Sequence, residues 1–174
     1  MVNNRSCNFH TLFQRLTAQR YQNLVRRVSR VAGNRALGGL GASAVPFTLS
    51  DYREWLKTIL GGEQGTCPCE YCGSYVTIET TVNDHRLPLS RGGSSGFENL
   101  AISCARCNNQ KGAMSGPAFR DLMRLLNSWQ YADRHDVLHR LETATRLAID
   151  EQRHRAIDAK HNSVRYQRHF EQRL

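Results

Sequence analysis

The sequence predicts an α+β protein: a small ββα core stapled by a metal, with mainly α-helical N- and C-terminal flanks. Three observations predict it. Two Cys-x-x-Cys pairs, Cys69/Cys72 and Cys104/Cys107, enclose 31 residues. Inside that interval, the β-branched alternation of Tyr75 to Thr80 and the apolar run Leu100 to Ser103 read as strands. On both sides of it, apolar residues recur at spacings of three and four, the mark of amphipathic helices. The chain then divides into a basic helical region 1–60, a core 61–116 and a helical region 117–174 with a basic tail.

Each element has a local reason. Over 9–32, Phe9, Leu12, Phe13, Leu16, Leu24, Val25, Val28 and Val31 mark one helix face. Arg15, Arg20, Arg26, Arg27 and Arg30 fill other positions, either as phosphate contacts or as a solvated face. Glycines at 33, 38, 39 and 41 and Pro46 make 33–46 a linker. A helix over about 49–60 follows, capped by Thr48 with Asp51 three residues on. Its apolar side is Tyr52, Trp55, Leu56, Ile59 and Leu60, with Trp55 read as core. The strand from Tyr75 continues toward Asp84-His85. Residues 86–97 form a Gly- and Pro-bearing loop, Leu100–Ser103 is the second strand, and a helix from about Cys104 carries Asn108 and Lys111. Pro117 suits the first turn of a further helix, buried through Phe119, Leu122, Met123, Leu126 and Trp129. The last helix starts near Asp133 and runs to about 160, with Val137, Leu138, Leu141, Ala144, Leu147 and Ala148 inside.

Composition narrows the function. The net charge is +9. Residues 1–60 carry nine Lys/Arg and two Asp/Glu, 61–116 four and five, and 117–174 eleven and eight, giving +7, −1 and +3. A nearly neutral centre between basic flanks suits a polyanion held by the flanks. No apolar run reaches the ~18 residues of a membrane span. The N-terminal ten residues are polar and lack a signal-peptide core, so a soluble, cytoplasmic protein is expected. In a reducing compartment, paired CxxC motifs favour metal over cystine. Cys7 and Cys67 are left over, and Cys67 reads as a free thiol beside the site.

The four CxxC cysteines can close one tetrahedral zinc site with no open position. That zinc is structural: a unit this small needs a staple. The loop it closes holds Asp84, His85 and Asn99, and Asn108 directly follows Cys107. Phosphodiester hydrolysis needs an activated water and charge stabilisation, which a hard cation helps supply. Asp84 and the Asn108 amide oxygen fit the sparse oxygen set of Mg2+ or Mn2+, and His85 can take a proton from water. Adjacent strand residues face opposite ways, so the strand must bend or end for Asp84 and His85 to share a site. His135 and His139 are four apart on a helix, with no third ligand evident.

The run Asp84-His85, Pro88-Leu89-Ser90, Gly92-Gly93, Asn99-Leu100, Cys104-x-x-Cys107-Asn108-x-x-Lys111 resembles the HNH nucleases, in their zinc-bearing ββα-metal (His-Me finger) branch. The resemblance covers residues 67–113. It implies that His85 is the general base and that Asp84 and Asn108 ligate catalytic Mg2+ or Mn2+. It implies that Asn99 orients His85 or braces the loop, and that Lys111 sits near phosphate. Many members have a final His where this chain has Asn108, a neutral oxygen donor that favours hard Mg2+. The expected partner is double-stranded DNA, contacted by Lys111, Arg86, Arg91, Arg26, Arg27 and Arg30. RNA stays open as a substrate, as does a homodimer, on which nick or double-strand break depends. Family likeness suggests a phage-encoded or intron-associated endonuclease, in homing, phage DNA processing or restriction, acting in the host cytoplasm if phage-encoded. The rival reading is a non-catalytic zinc module that binds nucleic acid.

Overall fold

The computed structural model describes residues 4–35, 45–61 and 65–171, with side chains over 9–31, 45–61, 65–155 and 157–158. The side chain of Cys7, most of the predicted linker, and the side chains of the tail from His161 lie outside the described residues. The architecture is α+β. Helix α1 (Asn4–Arg35) and helix α2 (Leu49–Ile59) precede two small antiparallel sheets, and helices α3 (Ala105–Lys111), α4 (Gly116–Asn127) and α5 (Tyr131–Glu171) follow.

α1 is longer than the predicted 9–32 and passes through Gly33. One glycine costs a helix only about 1 kcal/mol, and the helix is anchored upstream by buried Phe13, Leu24 and Val28. Arg20 ties it to the core. Its guanidinium donates to the carbonyl oxygens of Ile78 (2.6 Å), Glu79 (3.0 Å) and Thr81. α2 starts at the predicted capping box, with Thr48 Oγ1 accepting from Asp51 N and Asp51 accepting from Thr48 N. Tyr52, Leu56 and Leu60 are fully buried, whereas Ile59 is exposed. Trp55 joins Phe97 at 5.3 Å between ring centroids, and Phe97 stacks on Phe47 at 3.9 Å. These aromatics pack α2 against the 97–99 turn.

The single strand expected from Tyr75 to His85 is two. β2 (Tyr75–Thr77) pairs with an unpredicted β1 (Thr66–Pro68), and β3 (Thr81–His85) pairs with β4 (Leu100–Cys104). The break is a tight turn at Ile78–Thr80. Thr80 Oγ1 accepts from Thr77 N (2.9 Å), and Thr80 N donates to Thr77 O (3.2 Å). Threonine hydroxyls that bond nearby backbone compete with the ladder in this way. In the β3–β4 register, Asp84 faces Ala101 and His85 faces Leu100. α3 begins directly after β4, with Cys104 as its N-cap.

Two apolar assignments in the C-terminal flank differ from expectation. α4 buries Phe119, Met123 and Leu126, but Trp129 lies past its end and is exposed. In α5, Leu138 is buried and Val137 and Leu141 are half-buried, while Ala144, Leu147 and Ala148 face solvent. The core is too small to cover a helix of this length beyond its first turns.

Candidate functional site

The Sγ atoms of Cys69, Cys72, Cys104 and Cys107 all lie within 4.8 Å of one another. A tetrahedron with metal–sulfur bonds of about 2.3 Å has sulfur–sulfur edges of about 3.8 Å, so the donors fit one ion with little movement. Two elements deliver them. The 69–74 turn is closed by Cys69 N donating to Ser74 O (2.8 Å) and Gly73 N donating to Cys69 O (3.0 Å). β4 and the first turn of α3 bring Cys104 and Cys107. The charge pattern fits a cation as well. The Cys69 thiol is pulled down to about 4, chiefly by the hydrogen bond from Cys107, which is itself pushed up by that bond and by burial. Cys104 is pushed up by burial. Four sulfurs this close cannot all ionise without a positive charge among them. Cys67 is buried and lies outside the cluster.

Asp84 and His85 are both buried at the end of β3. Asp84 accepts from the Tyr71 hydroxyl at Oδ2 (2.6 Å), and Lys111 Nζ lies 3.1 Å from each of its carboxylate oxygens. The Lys111 ammonium also donates to His85 O (2.9 Å). Lys111 is 1% exposed, with its ammonium turned inward onto Asp84 and the His85 carbonyl. It is the counter-charge without which a buried Asp84 carboxylate would be uncompensated.

His85 is 3% exposed and its Nε2 is buried with no hydrogen-bond partner among the described residues. Burial, with Arg27 and Lys111 nearby, pushes its pKa down to about 4. The imidazole is therefore neutral near pH 7, with basic capacity unspent. An orphaned buried nitrogen is uncommon and calls for an explanation beyond packing.

Asn99 ends the 97–99 turn and braces the loop after His85. Its Oδ1 accepts from Leu87 N (2.8 Å), and its Nδ2 donates to Leu87 O (2.9 Å) and Ser94 O (2.7 Å). Its backbone oxygen accepts from Arg86 N (2.8 Å). Of the two expected roles, the contacts are those of the brace. Gly93 belongs to the same device: a Cβ there would overlap the Leu87 carbonyl and crowd Asn99 Nδ2. Asn108, on α3, is half-buried.

The predicted phosphate contacts separate into groups. Arg86 is taken up by Glu70 (Nη2 to Oε2, 2.7 Å) and by Glu98 O (2.9 Å). These bonds anchor the residue after His85, while the Arg86 side chain stays 38% exposed. Arg91, Arg26, Arg27 and Arg30 are exposed. Arg27 leans on β3, with Nη1 3.5 Å from Asn83 O. His135 and His139 stack in the open at 6.4 Å, and no third ligand joins them among the described residues. Sequence reasoning missed Tyr71, Glu70 and Arg120. Glu70 bridges Arg86 and Arg120 at 2.7 Å each. Inside a Cys-x-x-Cys pair, the two middle residues read only as spacers.

Residues 69–114 match the family described as HNH endonuclease. This segment is an HNH domain. Over 51 residues, 29% of this chain, the sequence is 41% identical to the CRISPR-associated endonuclease Cas9 of Corynebacterium diphtheriae. The match spans 5% of that relative's length. In the present chain this segment lies between α1–α2 and α4–α5. No helix among the described residues is long and apolar enough to cross a membrane.

Proposed function

We propose that the chain is a metal-dependent endonuclease that hydrolyses phosphodiester bonds of double-stranded DNA through its HNH domain. The observation that carries this reading is His85: a buried, neutral imidazole whose Nε2 has no hydrogen-bond partner among the described residues, one residue from a buried carboxylate. In this reading His85 Nε2 accepts the proton of the attacking water. Asp84 and Asn108 hold Mg2+ or Mn2+, since a carboxylate and an amide oxygen suit a hard cation. When bound, that ion supplies charge stabilisation at the phosphate and at the leaving oxygen. Asn99 fixes the loop 86–94 around His85, and the four cysteines hold a structural Zn2+.

His85 is sealed from bulk solvent, so substrate engagement opens a path for one water to Nε2. A nearly dry site keeps the imidazole neutral and strengthens its electrostatics. The exposed arginines of α1, together with Arg91, supply the phosphate contacts that hold the duplex. One such centre cuts one strand at a time, so a monomer nicks and a pair of centres breaks the duplex.

The test is cleavage of supercoiled plasmid by wild type and His85→Ala, with Mg2+ and with EDTA. Nicking by wild type alone, dependent on Mg2+, is the expected outcome, with DNA binding retained by His85→Ala. Equal activity in the variant removes His85 as the base. Binding without cleavage by either protein, on genomic as well as plasmid DNA, favours the non-catalytic zinc module. Structured RNA as a parallel substrate checks the choice of DNA.

A further inference from the structure

Two donors hold the Asp84 carboxylate, and each comes from an element that carries a cysteine pair. Lys111 ends α3, whose start carries Cys104 and Cys107. Tyr71 stands between Cys69 and Cys72 and donates to Asp84 Oδ2 at 2.6 Å. Tyr71 is 8% exposed, and its ring meets Phe119 of α4 edge-on at 5.2 Å. Its neighbour Glu70 is pinned through its backbone N to Ile102 O (3.0 Å) and through its carboxylate to Arg86 and Arg120. The ring is thus held against Phe119, and the backbone beside it by the bonds of Glu70, before the hydroxyl reaches Asp84.

We propose that Tyr71 is a positioning residue that couples the four-cysteine cluster to the metal-binding carboxylate. The proposal rests on the reading of Asp84 as a ligand of the catalytic cation. An ionised carboxylate accepts at about four positions. Tyr71 and Lys111 occupy part of that capacity from the inner side and fix the carboxylate plane, leaving the remainder for the cation. Partners of this kind, behind a metal ligand, typically affect metal affinity by ~10-fold or more. A metal held by the four cysteines would fix the 69–74 turn, and with it the place of the phenol that holds Asp84. A tyrosine that merely filled the core would need the ring against Phe119 and any acceptor for its hydroxyl.

Tyr71→Phe keeps the ring and deletes the donor. The zinc-loaded full chain is titrated with Mn2+, free ion being followed by electron paramagnetic resonance, and its zinc content and thermal melt are measured. The expected result is unchanged zinc content, a melt within a few degrees, and Mn2+ affinity lower by ~10-fold. The Mg2+ concentration for half-maximal plasmid cleavage should rise by a similar factor, with the rate recovering at saturating Mg2+. Unchanged or tighter Mn2+ binding overturns the proposal. So does loss of zinc by the variant, which would make the hydroxyl a support of the fold alone. Asp84→Ala separates the layers: if it leaves Mn2+ binding intact, the reading of Asp84 as ligand fails. If it abolishes binding while Tyr71→Phe does not change it, only the positioning role fails.

Discussion

Asn99 offers the sharpest test of how the loop behind His85 is held. Its amide is 8% exposed and makes three hydrogen bonds, one as acceptor from Leu87 N and two as donor to Leu87 O and Ser94 O. Asn99→Ala deletes all three and strands one N–H and two carbonyls. At a net of about 0.5–1.5 kcal/mol each, the loss is about 1.5–4.5 kcal/mol. For a chain of this size each kcal/mol lowers the melting temperature by about 2–4 °C, so a fall of about 10 °C is expected. Asn99→Asp is nearly isosteric and keeps the bond from Leu87 N. It nevertheless replaces the donor with a carboxylate oxygen facing two carbonyl oxygens. That is a buried unpaired charge, worth about 3–5 kcal/mol of destabilisation, and it eases at low pH as the carboxyl protonates. The order of stability near pH 7 is therefore wild type, then Ala, then Asp. Thermal melts give the order, and amide exchange at Leu87 gives the location. An Asp variant as stable as wild type, or Leu87 exchange unaltered by Asn99→Ala, would refute the brace.

The pH dependence of stability follows from His85, whose pKa falls from the ordinary 6.5 to about 4 on folding. Between those values the unfolded chain binds the extra proton, so the contribution is complete above about pH 6.5 and is lost as pH falls toward 4. It amounts to at most a few kcal/mol, and denaturant titrations from pH 7 to 4 should show a shallower slope for His85→Gln. Lys111→Met removes the partner of a buried carboxylate. It should destabilise by about 3–5 kcal/mol, and a further Asp84→Asn change should restore much of that; failure of the rescue in urea melts would deny the pairing. Cys104→Ser removes a donor from the four-sulfur cluster. Metal analysis should show zinc lost and the melt broadened, whereas an unchanged melt would show that the cluster is not a staple.

The cysteine cluster was legible because ligand spacing is a local property: two CxxC turns each present two sulfurs whatever the surroundings. The capping box at Thr48 and the start of α4 at Pro117 were legible for the same reason. The hidden parts depend on what packs against what. β2 and β3 share one β-branched run, and the turn that divides it is closed by the threonine hydroxyls at Thr77 and Thr80 and gripped by Arg20 from α1. Lys111 looks like a helix lysine in sequence, and its burial follows from Asp84 lying across the α3–β3 contact. Tyr71 carries no signal at all, since a spacer in a CxxC turn gains a partner only when β3 passes beneath it. Leu147 and Ala148 match a helical period, but the small core leaves nothing to cover them.

The arginines of α1 show how one composition divides into two tasks. As a sequence, the set is uniform, and any member suits a phosphate. In the structure, Arg20 is spent on three backbone carbonyls of the Ile78–Thr81 turn, so it fastens α1 to the strand that ends in His85. Arg26 and Arg30 are exposed and carry no such duty. Arg20→Ala should therefore act on stability, by at least about 1.5–3 kcal/mol, the value of a single bond from a charged donor. It should leave the salt dependence of DNA affinity nearly as it was. Arg26→Ala and Arg30→Ala should do the reverse: melts unchanged, and the slope of log affinity against log salt reduced by about 0.9 for each phosphate no longer neutralised. Titrations of a duplex at several salt concentrations, beside melts of the same proteins, separate the two. If Arg20→Ala flattens the salt slope while Arg26→Ala and Arg30→Ala do not, α1 meets DNA through its inner face and the division is wrong.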